Sequence, residues 1–120
     1  MIDLHPHNWQ RAFDLACEGL AEQGGPSRDA AGTCLYRGPN GRKCAIGWLI
    51  PDGEEPDGLE LLPLGDLIPS ESFRFADALQ TAHDRRANVT AKDIRVALRA
   101  VANAYGLNPA AADLIRRWGP

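Results

Sequence analysis

The sequence predicts a single α+β domain spanning residues 1–120. In this prediction an N-terminal helix, a central β-hairpin and an acidic, Pro-rich loop precede about three helices that pack on the hairpin. Three observations support it: apolar residues recur at helical spacing near the N-terminus, two short apolar runs flank an Asn-Gly turn, and helix-capping residues precede two later amphipathic segments. A chain of 120 residues is long enough for one domain with its own core.

The first predicted helix covers residues 8–23. Its apolar positions recur at steps of three and four, at Trp9, Phe13, Ala16, Cys17 and Leu20. Gly24-Gly25-Pro26 ends the helix, because glycine readily takes the left-handed cap conformation and proline cannot continue a helical turn. Cys17 lies on the apolar stripe, so we expect it to be a small core residue.

The hairpin is predicted from a strand at residues 34–37, a turn at 38–41 and a second strand at 42–50. The turn contains Asn40-Gly41, and this dipeptide tolerates the positive backbone dihedrals that tight hairpin turns need. Cys34 and Cys44 then lie within a residue or two of facing each other. The sequence leaves the register open, and a one-residue slip would place the two thiols on opposite faces.

The remaining segments are a loop and three helices. Residues 53–69 are acidic and rich in proline, which predicts an ordered surface loop with one short helical or extended piece. Ser70 or Ser72 caps a helix that runs to about residue 83. Thr90 begins another helix with a capping-box pattern, and Asn108-Pro109 precede a last one.

Charge and composition exclude several classes of protein. The net charge of −3 argues against a general nucleic-acid binder, and no apolar run approaches the roughly 20 residues of a membrane-spanning helix. The N-terminus has neither a basic nor an apolar signal region, so a cytoplasmic protein is expected. Three cysteines in such a chain predict reduced thiols, not a disulfide framework.

Cys34, Cys44 and His83 are the candidate metal ligands, with Asp84 beside them. Thiolate and imidazole suit zinc, and either a carboxylate or Cys17 would have to be the fourth ligand. Nine residues separate the two hairpin cysteines, however, whereas zinc-binding cysteine pairs are usually two to four residues apart.

The same residues have two other interpretations. Cys44 could be a nucleophile that His83 activates and that Asp84 or Asp52 orients. Alternatively the thiols pack the hairpin onto the helices, while His83 caps its helix and hydrogen-bonds the hairpin backbone. We favour the packing interpretation, so no cofactor is expected and zinc is the alternative.

Residues 34–52 and 79–84 also carry a resemblance to a protein family. A Y-R-G turn, then C-A-I-G, an apolar pair with Pro-Asp, and a later L-Q-x-x-H-D resemble a group of small, mostly uncharacterised proteins of tailed phages and prophages. The resemblance implies a phage accessory protein that binds host machinery in the host cell cytoplasm. It implies no reaction.

The predicted function is therefore non-enzymatic binding and inhibition of a host protein, such as a component of an antiviral defence system. Tyr and Arg most often anchor interfaces, and several lie near the hairpin tip. The predicted partner-binding residues are Tyr36, Arg37, Asn40, Arg42, Lys43, Arg74, Arg85 and Arg86. Two alternatives remain: the same cations sequester a nucleotide or another small anion, or the protein is a zinc-dependent or cysteine-nucleophile enzyme. The oligomeric state is not predicted.

Overall fold

The computed structural model describes residues 1–83 and 89–119. In this part of the chain the regular structure is entirely helical. The α-helices are α1 (Trp9–Gln23), α2 (Leu64–Leu67), α3 (Phe73–His83) and α4 (Ala91–Ala104). Short 3-10 segments lie at Pro6–Asn8, Pro39–Gly41, Gly47–Leu49, Leu59–Leu61, Ser70–Ser72 and Ala110–Leu114. The predicted α+β class is wrong, since the described residues form no strand.

The three longer helices lie where their sequence signals predict them. Gly24 ends α1 in the left-handed conformation, with φ of 68°. Thr90 caps α4: its hydroxyl accepts a hydrogen bond from the Asp93 amide at 3.2 Å, and the Asp93 carboxylate accepts one from the Thr90 amide at 2.8 Å. Apolar periodicity therefore predicts α1, α3 and α4, and capping residues predict the end of α1 and the start of α4. The predicted serine cap of α3 is not observed: Ser70–Ser72 form a 3-10 segment, and the Ser72 hydroxyl donates to the Leu4 carbonyl at 2.8 Å.

The predicted hairpin is replaced by a turn and a coil. The turn lies at the predicted place, with φ of 60° at Asn40 and 74° at Gly41, but only one isolated bridge, Arg37 to Lys43, pairs the flanking residues. After the bridge the chain coils instead of extending, and the Trp48 amide donates to the Cys44 carbonyl at 3.1 Å.

Side chains explain why no ladder forms beyond that bridge. In a hairpin, the backbone amides of this run would donate to carbonyls of a partner strand. Here they donate instead to side chains of α1 and α3 or to a nearby sulfur. They are Lys43 to Gln23 at 2.9 Å, Ala45 to His83 at 3.3 Å, Ile46 to Gln80 at 3.2 Å and Gly47 to Cys44 at 3.3 Å. Because buried amides need only one acceptor each, these side chains remove the requirement for a second strand.

Gly47 permits this coil to pack closely on the preceding loop. A Cβ atom at this position would lie 2.0 Å from the Tyr36 carbonyl oxygen, so only glycine fits. Gly19 of α1 allows a similar approach, because its missing Cβ would lie 2.2 Å from the Trp48 ring. The coil is thereby packed between α1 and residues 34–37.

The core lies between α1, α3 and α4. Helix α3 packs on α4, and α1 packs on both Gly47–Leu49 and Ala110–Leu114. An aromatic cluster joins the helices: Trp9 stacks on Phe75 with ring centroids 5.0 Å apart, and Tyr105 meets the edges of both rings. Phe13 and Phe75 are among the largest fully buried side chains.

The acidic loop is ordered by its leucines. It contains Leu59–Leu61 and α2, and Leu59 and Leu67 are buried while most of its carboxylates are exposed. The last predicted helix is a five-residue 3-10 segment, Ala110–Leu114, where the Asn108 side chain accepts a hydrogen bond from the Ala110 amide at 2.9 Å. Across the described part of the chain, each helix is too short or too polar to cross a membrane.

Candidate metal centre

Cys34, Cys44 and His83 come together although they are distant in the sequence. One ligand atom from each, two sulfurs and an imidazole nitrogen, lies within 4.8 Å of the others. Cys34 precedes the Pro39–Gly41 turn, Cys44 follows it, and His83 is the last residue of α3. Cys44 and His83 are buried, whereas Cys34 is half-buried and gives the cluster access to the surface.

Hydrogen bonds favour the thiolate form of Cys44. Burial is the largest influence on its pKa and raises it, but hydrogen bonds from Cys34, Gln80 and the amides of Gly47 and Ile46 together bring the pKa below the ordinary 9.0. The Gly47 amide donates to the sulfur at 3.3 Å. A sulfur that is surrounded by donors in this way is prepared to carry a negative charge, which metal binding requires.

The hydrogen bonds of His83 define its tautomer. The Ala45 amide can only donate, and it lies 3.3 Å from Nε2, so Nε2 carries the lone pair. Nδ1 lies 3.4 Å from the Leu79 carbonyl and donates its proton there. This is the neutral form that ligates metals, with the second nitrogen held by a carbonyl. A bound ion would replace the Ala45 amide at Nε2.

Gln80 lies one helical turn before His83 and contacts the same cluster. Its Oε1 accepts from the Ile46 amide at 3.2 Å, and its Nε2 donates to the Cys34 sulfur at 3.6 Å. Since residues three apart share a helix face, α3 presents both side chains to the coil that follows Cys44.

The other candidate residues for chemistry, Cys17, Asp52 and Asp84, lie elsewhere or outside the described residues. Cys17 is not a member of the cluster, and burial, with the nearby charges of Asp14 and Glu18, raises its pKa to about 12. None of the three cysteines forms a disulfide. Asp52 is exposed and is not brought into the cluster, and Asp84 lies outside the described residues.

Asp52 instead pairs with two of the predicted partner-binding cations. Its carboxylate lies 2.8 Å from the Arg37 guanidinium and 3.2 Å from the Lys43 ammonium, and both lower its pKa, with Arg37 the larger influence. Arg37 also donates to the Ile50 carbonyl at 2.6 Å, and Lys43 lies over the Trp48 ring, 4.6 Å from its centroid. These two cations are therefore engaged within the chain.

The remaining members of the predicted surface divide into bound and exposed groups. Tyr36 is half-buried and donates its hydroxyl to the Leu62 carbonyl at 3.3 Å, and Arg42 donates to the Pro26 carbonyl at 3.2 Å. Asn40 at the turn and Arg74 on α3 are exposed. Arg85 and Arg86 lie outside the described residues.

A groove of about 470 Å³ lies on another face, between the N-terminal segment, α1 and residues 49–56. Its lining is largely apolar, and its charged members are Asp3, Glu54 and Arg11. Two carboxylates beside one guanidinium do not favour a phosphate-rich ligand. The groove therefore adds no support to nucleotide sequestration.

Two residues that organise the cluster were not singled out in the sequence, Gln23 and Gln80. Gln23 accepts hydrogen bonds from the Lys43 amide at 2.9 Å and the Trp48 indole at 3.1 Å. Its position at the end of an amphipathic helix gave no signal. Gln80 had a sequence signal, because it lies three residues before His83 in the L-Q-x-x-H-D motif.

Comparison with protein-family models, with curated proteins and with solved structures finds no match for this chain. The functional interpretation therefore depends on the residues and their geometry.

Proposed function

We propose that this protein binds one Zn²⁺ ion through Cys34, Cys44 and His83. One observation carries the proposal: two sulfurs and an imidazole nitrogen from three separate segments lie within 4.8 Å of one another. Thiolate and neutral imidazole are the donors that zinc takes in proteins, and oxygen-preferring ions such as Mg²⁺ and Ca²⁺ do not compete well for them.

The spacing of these atoms is close to what a zinc ion needs. Zn–S bonds of about 2.3 Å and Zn–N bonds of about 2.0 Å place tetrahedral ligand atoms roughly 3.5–3.8 Å apart. Atoms that are already within 4.8 Å reach this spacing by small rotations of their side chains. No displacement of a helix is required.

Electrostatics supports the same proposal. A buried thiolate is costly unless a cation offsets its charge, and Zn²⁺ supplies two positive charges. Cys44 is fully buried and nevertheless has a lowered pKa. The fourth ligand would come from outside this trio; of the sequence-based candidates, Cys17 lies apart from the cluster.

Bound zinc would fasten the chain around the Pro39–Gly41 turn to the end of α3.

The prediction that the protein binds and inhibits a host protein is a second proposal, which the resemblance to phage proteins motivates. The exposed Asn40 and Arg74 support it, since both remain accessible. A pull-down from host lysate tests it, and recovery of no partner by the folded protein would contradict it.

Metal analysis tests the zinc proposal. Protein prepared without a histidine tag is expected to contain one zinc per chain, and after removal of the metal to bind Co²⁺ with a sulfur-to-cobalt charge-transfer band. Cys34→Ser, Cys44→Ser and His83→Asn should each weaken binding strongly. Cys17→Ser is the matched control, because it removes a buried thiol that is not in the cluster.

The outcomes are separable even where a buried substitution impairs folding. Cys34 is only half-buried, so Cys34→Ser is the variant that is expected to fold most readily. Reduced, folded protein that takes up neither Zn²⁺ nor Co²⁺ would contradict the proposal. Equal loss of metal in Cys17→Ser and Cys34→Ser would do the same.

A further inference from the structure

We infer that Gln80 is a positioning residue of the proposed metal site, and that its side-chain amide holds the Cys34 sulfur beside Cys44 for the ion. The inference rests on the proposed function and goes beyond it, because Gln80 is not one of the three ligands. It depends on the direction of the Gln80 amide and on the sulfur that the amide contacts.

The direction of the amide is determined by the backbone of the coil. The Ile46 amide can only donate, so the atom that faces it at 3.2 Å must be the Gln80 oxygen. The –NH₂ group is then turned toward the cluster, where it donates to the Cys34 sulfur at 3.6 Å. One anchored amide therefore contacts Cys34, and it is also among the groups that lower the pKa of the Cys44 thiol.

This arrangement matches what two thiolate ligands require. A primary amide has two N–H groups, and each can serve one sulfur. Hydrogen bonds to metal-bound sulfur orient it and offset its charge, and the loss of such outer partners typically costs 10–100-fold in metal affinity. Because Gln80 and His83 lie on one face of α3, the same helix supplies one ligand and the donor to a second, Cys34.

A purely structural role for Gln80 makes a different prediction. In that case the important contact is the one from the Ile46 amide to Oε1. Gln80→Glu keeps an oxygen acceptor and the size of the side chain, but it replaces both N–H donors with a second acceptor. A structural role predicts that Gln80→Glu resembles the wild type, whereas a positioning role predicts that it weakens metal binding.

The test measures Zn²⁺ affinity by competition with a chromophoric chelator, together with the Co²⁺ charge-transfer spectrum. Gln80→Glu and Gln80→Leu are expected to bind Zn²⁺ about 10–100-fold more weakly than the wild type and to shift the Co²⁺ band. Gln10→Glu is the matched control. Gln10 also binds one backbone segment through both its atoms, accepting from the Asn108 amide at 2.8 Å and donating to the Asn108 carbonyl at 3.1 Å, but it lies away from the sulfurs. The Zn²⁺ affinity of Gln10→Glu should equal that of the wild type.

A second measurement needs no zinc. Phenylarsine oxide condenses with two nearby thiols: two As–S bonds form, the arsenic–oxygen bond breaks, and the oxygen leaves as water with the two thiol protons. In metal-free protein, Gln80→Glu is expected to slow this reaction several-fold relative to the wild type and to Gln10→Glu. The measurement reports only whether Cys34 and Cys44 are held together.

The two proposals can fail separately. Wild-type protein that binds no metal, with slower arsenical addition in Gln80→Glu, would refute the zinc proposal and support the role of Gln80. Wild-type protein that binds zinc, with unchanged affinity and arsenical rate in both Gln80→Glu and Gln80→Leu, would overturn the role of Gln80. Both variants are needed because the carboxylate that Gln80→Glu introduces could itself ligate zinc, whereas leucine supplies neither a donor nor a ligand.

Discussion

The segment at residues 34–50 and the helix pair α3–α4 are held together in different ways. In the helices, backbone amides donate to backbone carbonyls one turn earlier, so the order of each helix depends mainly on its own chain. In the segment, three non-helical amides, those of Lys43, Ala45 and Ile46, donate to side chains of α1 and α3 instead. The acceptors are Gln23, His83 and Gln80 respectively. The segment therefore depends on residues that are distant in the sequence.

This difference explains why the cluster forms where it does. The side chains that replace a β-ladder are polar and point inward, and two of them, His83 and Gln80, also contact the cysteine sulfurs or lie beside them. The side chains that shape the segment and the side chains that shape the proposed metal site are thus largely the same. A substitution at these positions should affect both.

The largest effect on stability is expected from Gln23→Ala. The substitution removes the acceptor for the Lys43 amide and the Trp48 indole, and the donor to the Gly25 and Lys43 carbonyls. Partly buried groups that lose their partners cost about 3 kcal/mol in the free energy of unfolding. Urea denaturation measures this loss.

Glu22→Ala is the control for that experiment, because Glu22 precedes Gln23 on the same helix and is exposed. Its stability should stay close to that of the wild type. Equal stability of the two variants would show that the segment does not depend on Gln23.

A smaller effect is expected when a helix loses its cap. Thr90→Ala removes the hydroxyl that accepts from the Asp93 amide, and this should lower the free energy of unfolding by about 1 kcal/mol. Lys92→Ala, at an exposed position two residues later, is the control. If Thr90→Ala costs more than Gln23→Ala, the proposed contrast between the two regions is wrong.

The smallest effect on stability concerns a third region, the N-terminal segment. A hydrogen bond from the Ile2 amide to the Leu67 carbonyl, at 2.7 Å, holds this segment in place. His5 at its end hydrogen-bonds the Glu71 carboxylate through Nδ1, and Asp3 lies 3.2 Å from Nε2. The Glu71 hydrogen bond is the main cause of a raised His5 pKa. Because the folded-state pKa of His5 is raised, protonated His5 stabilises the folded protein. This contribution is complete below pH 6.5, the ordinary pKa of histidine, and is lost as the pH rises through the folded-state pKa.

Unfolding experiments at several pH values, with an NMR titration of the His5 ring, measure this dependence. His5→Gln and Glu71→Gln should both flatten it. An NMR pKa at or below 6.5 for His5 would contradict the prediction.

Local signals in the sequence were sufficient for the helices but not for the coil after Cys44. Apolar periodicity predicts α1, α3 and α4, and caps predict the end of α1 and the start of α4, because those features act within a few residues. The run after Cys44 is apolar and follows an Asn-Gly turn, which is typical of a strand. The coil forms instead because distant side chains accept its amides and because Gly47 allows close packing on Tyr36.

The candidate site was partly predictable for the same reason. Cys34, Cys44 and His83 were the metal candidates by residue type, and the structure brings them together. The spacing of the cysteines argues against a zinc site, and the open register of the predicted hairpin leaves undecided whether the two thiols share a face. The supporting roles of Gln80 and Gln23 depend on tertiary contacts, which residue type alone does not show.

The packing of Trp48 makes it an intrinsic fluorescence probe for metal binding at the proposed site. The indole lies four residues after Cys44, beneath the Lys43 ammonium and in contact with Gln23. A paramagnetic ion such as Co²⁺ that binds nearby should quench its fluorescence, and subtraction of the emission of Trp48→Phe isolates this signal from Trp9 and Trp118. Loading of the site can thus be followed in dilute, unlabelled protein.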